Sequence, residues 1–119
     1  MPSRRPERRL QDIIDNIDRI RRYVADLDYE RYLSDEKSRD AVERCFQRIT
    51  EAAVKLGKGI DARHPDIPWR DIRGFGNVLR HEYDDVSHDL IWSTIQTRLD
   101  PLRRACEKEV LRLSKKNRA

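Results

Sequence analysis

Apolar residues return every three or four positions along most of this chain, and no stretch alternates polar and apolar with period two. Leu10, Ile13, Ile14, Ile17, Ile20, Val24 and Leu27 form one stripe, which predicts an amphipathic helix from near Pro6 to about Leu27. The segment from Asp28 to Ser34, with Tyr29, Tyr32 and Leu33, reads as a turn or a single helical turn. Ser34 or Asp35 can cap a second helix that carries Ala41, Val42, Cys45, Phe46, Ile49, Ala52, Ala53 and Leu56. Gly57 suits its C-terminal stop. Residues 57–68 read as the one long loop. Pro68 then leads into a third helix, from Trp69 to about Asp85. A bend follows at Val86 to Asp89, where Ser87 can cap, and Leu90, Ile91, Ile95 and Leu99 mark a fourth helical stretch. Asp100-Pro101 predicts a kink or a fresh start, and Leu102, Cys106, Val110 and Leu113 continue the stripe. The expected fold is an all-α, up-and-down bundle of four to five helices.

Length and composition narrow this further. The 119 residues suffice for one core, so residues 1–119 are expected to form one domain, with residues 1–6 and 115–119 as flexible ends. Forty per cent of the residues are charged against 37% hydrophobic, as suits helices with strongly solvated outer faces. No apolar run approaches the roughly 20 residues that cross a bilayer, and the charged start lacks a signal-type apolar segment. A cytoplasmic protein without a membrane partner is expected. The net charge of +4 admits an anionic partner such as RNA but does not by itself argue for one. Arg4, Arg5, Arg8 and Arg9 fit a solvated start better than an RNA-binding arm. Cys45 and Cys106 both lie on apolar stripes and read as buried thiols, and Trp69 and Trp92 read as packing residues.

The candidate chemistry lies between Gly76 and Asp85. If residues 72–90 are placed on one continuous helix, Ile72, Leu79, Val86 and Leu90 fall within about 40° of one another and define the core side, with Phe75 and Tyr83 at its edges. His81 lies about 160° from Leu79, beside Asn77 and near Asp84 and His88, while Arg73 and Arg80 align about 20° apart along this polar row. A cation set of His81, Asp84, Asp85 and His88 is conceivable, but a solvated acidic face explains these residues more simply, so no metal is called for. No serine sits on a nucleophile elbow, and Gly57-Lys58-Gly59 follows a helix rather than a strand, which disfavours a phosphate loop. General acid–base chemistry on RNA fits better. The 2′-hydroxyl supplies its own nucleophile, so cleavage needs a base and an acid near neutral pKa and a cation for the phosphorane charge. Imidazole serves the first two roles, and a guanidinium matches phosphate geometry.

The run Pro68-Trp69-Arg70-Asp71-Ile72-Arg73-Gly74-Phe75-Gly76-Asn77-Val78-Leu79-Arg80-His81-Glu82-Tyr83 resembles the signature of HEPN-domain proteins of the HepT type. Similarity extends to Asp40–Arg44, Ile49–Gly57 and Asp89–Trp92, and covers roughly residues 8–113. The resemblance implies a homodimer with an RNA-cleaving cleft where two motif helices meet. It implies cleavage without metal or other cofactor, and a toxin role within a HepT/MNT toxin–antitoxin pair. The antitoxin would be an MNT-type nucleotidyltransferase that transfers AMP to the motif tyrosine. The family pattern is Arg, four to six residues, His, any residue, Tyr. His81 and Tyr83 match it, and Asn77 matches the asparagine that follows the arginine. Gly76 stands where that arginine belongs. Arg73, with seven residues before His81, and the adjacent Arg80 are the candidate replacements.

The expected site is therefore His81 as acid–base, Arg80 or Arg73 as phosphate-contacting cation, Asn77 as supporting polar group and Tyr83 as target of AMP transfer. One rival is a non-catalytic HEPN subunit, with Gly76 marking lost activity, that binds a nucleotidyltransferase or a nucleotide. Another is a nucleic-acid-binding module without turnover.

Overall fold

The computed structural model describes residues 5–81 and 87–118, with the backbone alone for Arg80, His81, Asn117 and Arg118. Among the described residues there are seven helices and no strand: α1 (Pro6–Val24), α2 (Tyr29–Ser34), α3 (Glu36–Leu56), α4 (Gly59–Arg63), α5 (Trp69–His81), α6 (His88–Thr97) and α7 (Leu99–Arg118). Five are long, as the periodicity predicts. The other two are short pieces within predicted connections.

Local chemistry accounts for the boundaries. Pro6 opens α1, where a missing N–H costs nothing, and Arg21 and Arg22 lie in its last turn, where the helix dipole favours cations. Asp28 caps α2 by accepting from the Arg31 amide at 2.9 Å. Asp35, rather than Ser34, caps α3, accepting from the Ser38 amide at 3.1 Å and its hydroxyl at 2.8 Å. Gly57 ends α3 with φ 78° and ψ −170°, a conformation essentially confined to glycine. Ser87 caps α6 through the Leu90 amide.

The core is the predicted one along α1, α3 and α7. Ile13, Ile17 and Ile20 are fully buried, together with Val42, Ile49, Leu99 and Cys106. α1 packs along both α3 and α7, and α5 also packs on α3. Asp18 with Arg103 and Arg21 with Asp100 fix α1 antiparallel to α7. Both cysteines are free and buried. Burial pushes the Cys106 thiol up to about 12, so it stays protonated and unreactive at neutral pH. No described helix is long and apolar enough to cross a membrane.

Two expectations are corrected. Residues 57–68 are not wholly loop, since α4 forms inside them. Leu90 is not core but 57% exposed, because the helical register from Ile72 does not carry through to α6, which starts anew at the Ser87 cap. α7 is helical through Arg118.

Candidate functional site

α5 carries the motif, and three kinds of anchor hold it. The first is apolar. Trp69 (2% exposed) and Leu79 are buried, Ile72 and Phe75 are partly buried, and Phe75 meets Phe46 of α3 edge-on at 5.9 Å. The second lies at the start of the helix, where the Trp69 indole N–H donates to the His64 carbonyl at 3.0 Å. The third is Arg73. Its guanidinium donates to both carboxylate oxygens of Asp61, at 2.9 and 2.6 Å, to the Gly57 carbonyl at 2.7 Å and to the Ala53 carbonyl at 3.4 Å.

With the apolar side so placed, Gly74 and Asn77 are exposed. The α5 backbone continues to His81, whose register position is about 160° from buried Leu79. Gly76 is buried, so the place of the family's motif arginine lies toward the core edge. Tyr83, Asp84 and Asp85 lie outside the described residues, as do the side chains of Arg80 and His81. Of the predicted site residues, the side chains of Asn77 and Arg73 are described. They diverge, Asn77 exposed and Arg73 turned toward α3 and α4. No group of three or more possible metal ligands is found among the described residues.

Two polar clusters were not anticipated. Glu109 of α7 is 3% exposed and receives both Arg63 Nε (2.9 and 3.1 Å) and Arg112 Nε (3.2 Å), with His64 Nε2 at 3.0 Å. Burial opposes its charge, but the hydrogen bonds from Arg63 and His64 outweigh that and hold the carboxyl below the usual range. The signal was available: Glu109 is an acid one turn after Cys106 on an otherwise apolar stripe. The second cluster surrounds Tyr32. Its ring is fully buried, 5.1 Å from Trp92 and edge-on to His88, and its hydroxyl has no hydrogen-bond partner among the described residues. Burial and then the nearby Glu43 charge raise the Tyr32 hydroxyl to about 12. Burial likewise raises Glu43. His88 belongs to this packing, with Nδ1 buried and without a hydrogen-bond partner among the described residues.

Comparison with known proteins places this geometry in context. The family model described as "Ribonuclease HepT-like" matches residues 13–109. A Methanocaldococcus jannaschii protein named as a candidate RNase is 31% identical over 116 residues, 98% of this chain and 100% of that protein. A Thermococcus cleftensis protein named as a candidate ribonuclease HepT is 30% identical over 99 residues, 83% of this chain and 90% of its own. A third relative, a candidate RNase of Caldanaerobacter subterraneus subsp. tengcongensis, is 29% identical over 110 residues, 92% of this chain and 97% of its own. No solved structure matches the chain significantly.

Proposed function

The chain belongs to the HepT-like ribonuclease family, and on that premise we propose that it is a metal-independent endoribonuclease acting as the toxin of a HepT/MNT pair. The observation that carries this reading is the rotation of α5. Burial of Trp69 and Leu79 sets the helix so that Asn77 is solvent-facing and register position 81 falls on the side away from the core.

In this reading two copies pair so that their motif helices flank one RNA strand. The His81 imidazole removes the 2′-hydroxyl proton, and the freed oxygen attacks the adjacent phosphorus. The bond from phosphorus to the 5′ oxygen breaks, and that oxygen takes a proton from an imidazolium, for which the twofold arrangement supplies a second His81. The products carry a 2′,3′-cyclic phosphate and a 5′-hydroxyl. Asn77, one turn before His81, supports the imidazole. Arg80 provides the phosphate-contacting cation, since the donors of Arg73 are engaged with Asp61, Gly57 and Ala53.

Tyr83, two residues beyond His81, is the proposed target of an MNT-type nucleotidyltransferase. An attached AMP would set bulk and a negative phosphate where the RNA backbone must lie. Tyr83→Phe is expected to keep RNA cleavage and to lose labelling by that partner with radioactive ATP. Labelling that persists in the variant would remove Tyr83 from the account.

Gly76 supports a second reading, a non-catalytic subunit that binds the nucleotidyltransferase. The position of the motif arginine bears no side chain and is buried. Incubating purified wild type and His81→Ala with structured RNAs in excess EDTA separates the two readings. The nuclease reading expects fragments from wild type alone. Absence of cleavage by wild type on every RNA tried would leave the non-catalytic subunit.

A further inference from the structure

α4 is five residues long, far too short to persist by its own hydrogen bonds. It is held from both ends of its small surface. On one side Arg63 and the adjoining His64 grip buried Glu109 of α7. On the other, Asp61 grips Arg73 of α5 through a two-pronged pair, the geometry in which a guanidinium and a carboxylate bind most specifically. The Arg73 side chain is 15% exposed, against 38% for Asp61. The same guanidinium reaches the Ala53 and Gly57 carbonyls, which belong to the last turn of α3 and its cap, where helix carbonyls lack partners of their own. Arg73 thus joins α3, α4 and α5 at one point.

The consequence lies further along α5. At about 1.5 Å per residue, position 81 is about 12 Å beyond position 73, and positions 77 and 80 lie within about 40° of Arg73 around the axis. Rotating the helix by about 20° would move a side-chain atom at about 6 Å radius by about 2 Å. Misplacement of about 1 Å can cost roughly a hundredfold in rate.

We propose that Asp61 is a positioning residue of the ribonuclease site: its carboxylate holds Arg73, and through Arg73 it sets the rotation of the helix that presents Asn77 and His81. The inference rests on the ribonuclease reading above. It makes Arg73 the rivet of the motif helix rather than a contact for RNA phosphate. The hydrogen bonds from Arg73 also hold the Asp61 carboxyl below its usual range, so the grip is fully charged at neutral pH.

The test uses the full chain as wild type, Asp61→Ala, Asp61→Glu and Arg73→Lys. Asp61→Ala is expected to lower kcat about 10- to 100-fold with KM within about twofold, and Asp61→Glu to recover part of the loss. If Arg73 instead served RNA phosphate, Asp61→Ala would release it and remove a repelling acid, so KM would fall with kcat intact. That outcome overturns the proposal.

A second readout needs no RNA. Hydrogen exchange of the 74–81 amides is expected to speed up about tenfold in Asp61→Ala and Arg73→Lys, while α1 exchange stays unchanged, as for a local opening. Equal protection of α5 in wild type and variants overturns the clamp. If wild type cleaves no RNA, the ribonuclease reading fails, and exchange alone decides the clamp. Should Asp61→Ala fail to fold, Arg73→Lys carries both measurements.

Discussion

Glu109 and its three partners show why residue-scale energies here are asymmetric. The carboxylate is 3% exposed, whereas Arg63 and Arg112 each remain about 40% exposed at the side chain. Truncating one exposed arginine loses a single partly screened pair, but truncating Glu109 removes the acceptor that Arg63, His64 and Arg112 share and leaves the two guanidiniums without their common counter-charge. Glu109→Ala is therefore expected to cost about 3 kcal/mol, and Arg112→Ala below about 1 kcal/mol, in urea unfolding. Equal losses would contradict the burial argument. Glu43 behaves oppositely. Burial raises its pKa, so the folded state binds its proton more tightly than the unfolded chain does. Ionisation then costs stability as pH rises through the unfolded value toward the folded one. Glu43→Gln is expected to raise the melting temperature at pH 7 by about 2–4 °C and to lose that advantage at pH 4. At this scale the sequence displayed the exposed row with Asn77 but not the employment of Arg73. A helical wheel gives a side chain its direction and says nothing of its partner. Asp61 lies in a segment that reads as loop, so the carboxylate that turns Arg73 inward was not legible.

Element boundaries were largely legible because they rest on local chemistry: Pro6, Asp35, Gly57 and Ser87 each act within a few residues of themselves. What escaped the pattern was α4, whose five residues are too few for a periodicity and are held by contacts with α5 and α7. The placement of Leu90 failed for a related reason, since extrapolating one register across a cap assumes a helix that does not continue. Gly57 carries the sharpest test at this scale. With φ 78° and ψ −170°, any other residue is strained, and the Gly57 carbonyl must remain available to Arg73. Gly57→Ala is expected to lose about 2 kcal/mol and to loosen α5 in hydrogen exchange. A change below about 0.5 kcal/mol would show that the α3 terminus relaxes freely. The pH response follows from Asp61, whose folded pKa is lowered. Its contribution is present at neutral pH and is lost only as pH falls below the ordinary carboxylate range and through that lowered value. Protection of α5 should thus be flat from pH 5 to 8.

As a whole molecule, the chain builds one core from α1, α3 and α7 and hangs the motif helix on α3 through Phe75 and Arg73. The fold was legible because six apolar stripe positions on α1 alone repeat with helical spacing, and all-α architecture follows from such repeats. Family membership was legible in the Pro68–Tyr83 run. The proposed twofold pairing rests on that resemblance alone, since an interface between copies leaves no periodicity of its own. Light scattering is expected to give twice the chain mass of 14.2 kDa, and a monomer that still cleaves RNA would break the shared-cleft reading. The most direct trial of the central claim uses one oligonucleotide sequence in two forms, as RNA and as DNA, with EDTA present. The account predicts that the RNA is cut to fragments ending in 2′,3′-cyclic phosphate while the DNA stays whole. Cleavage of both strands alike, or of neither, would contradict it.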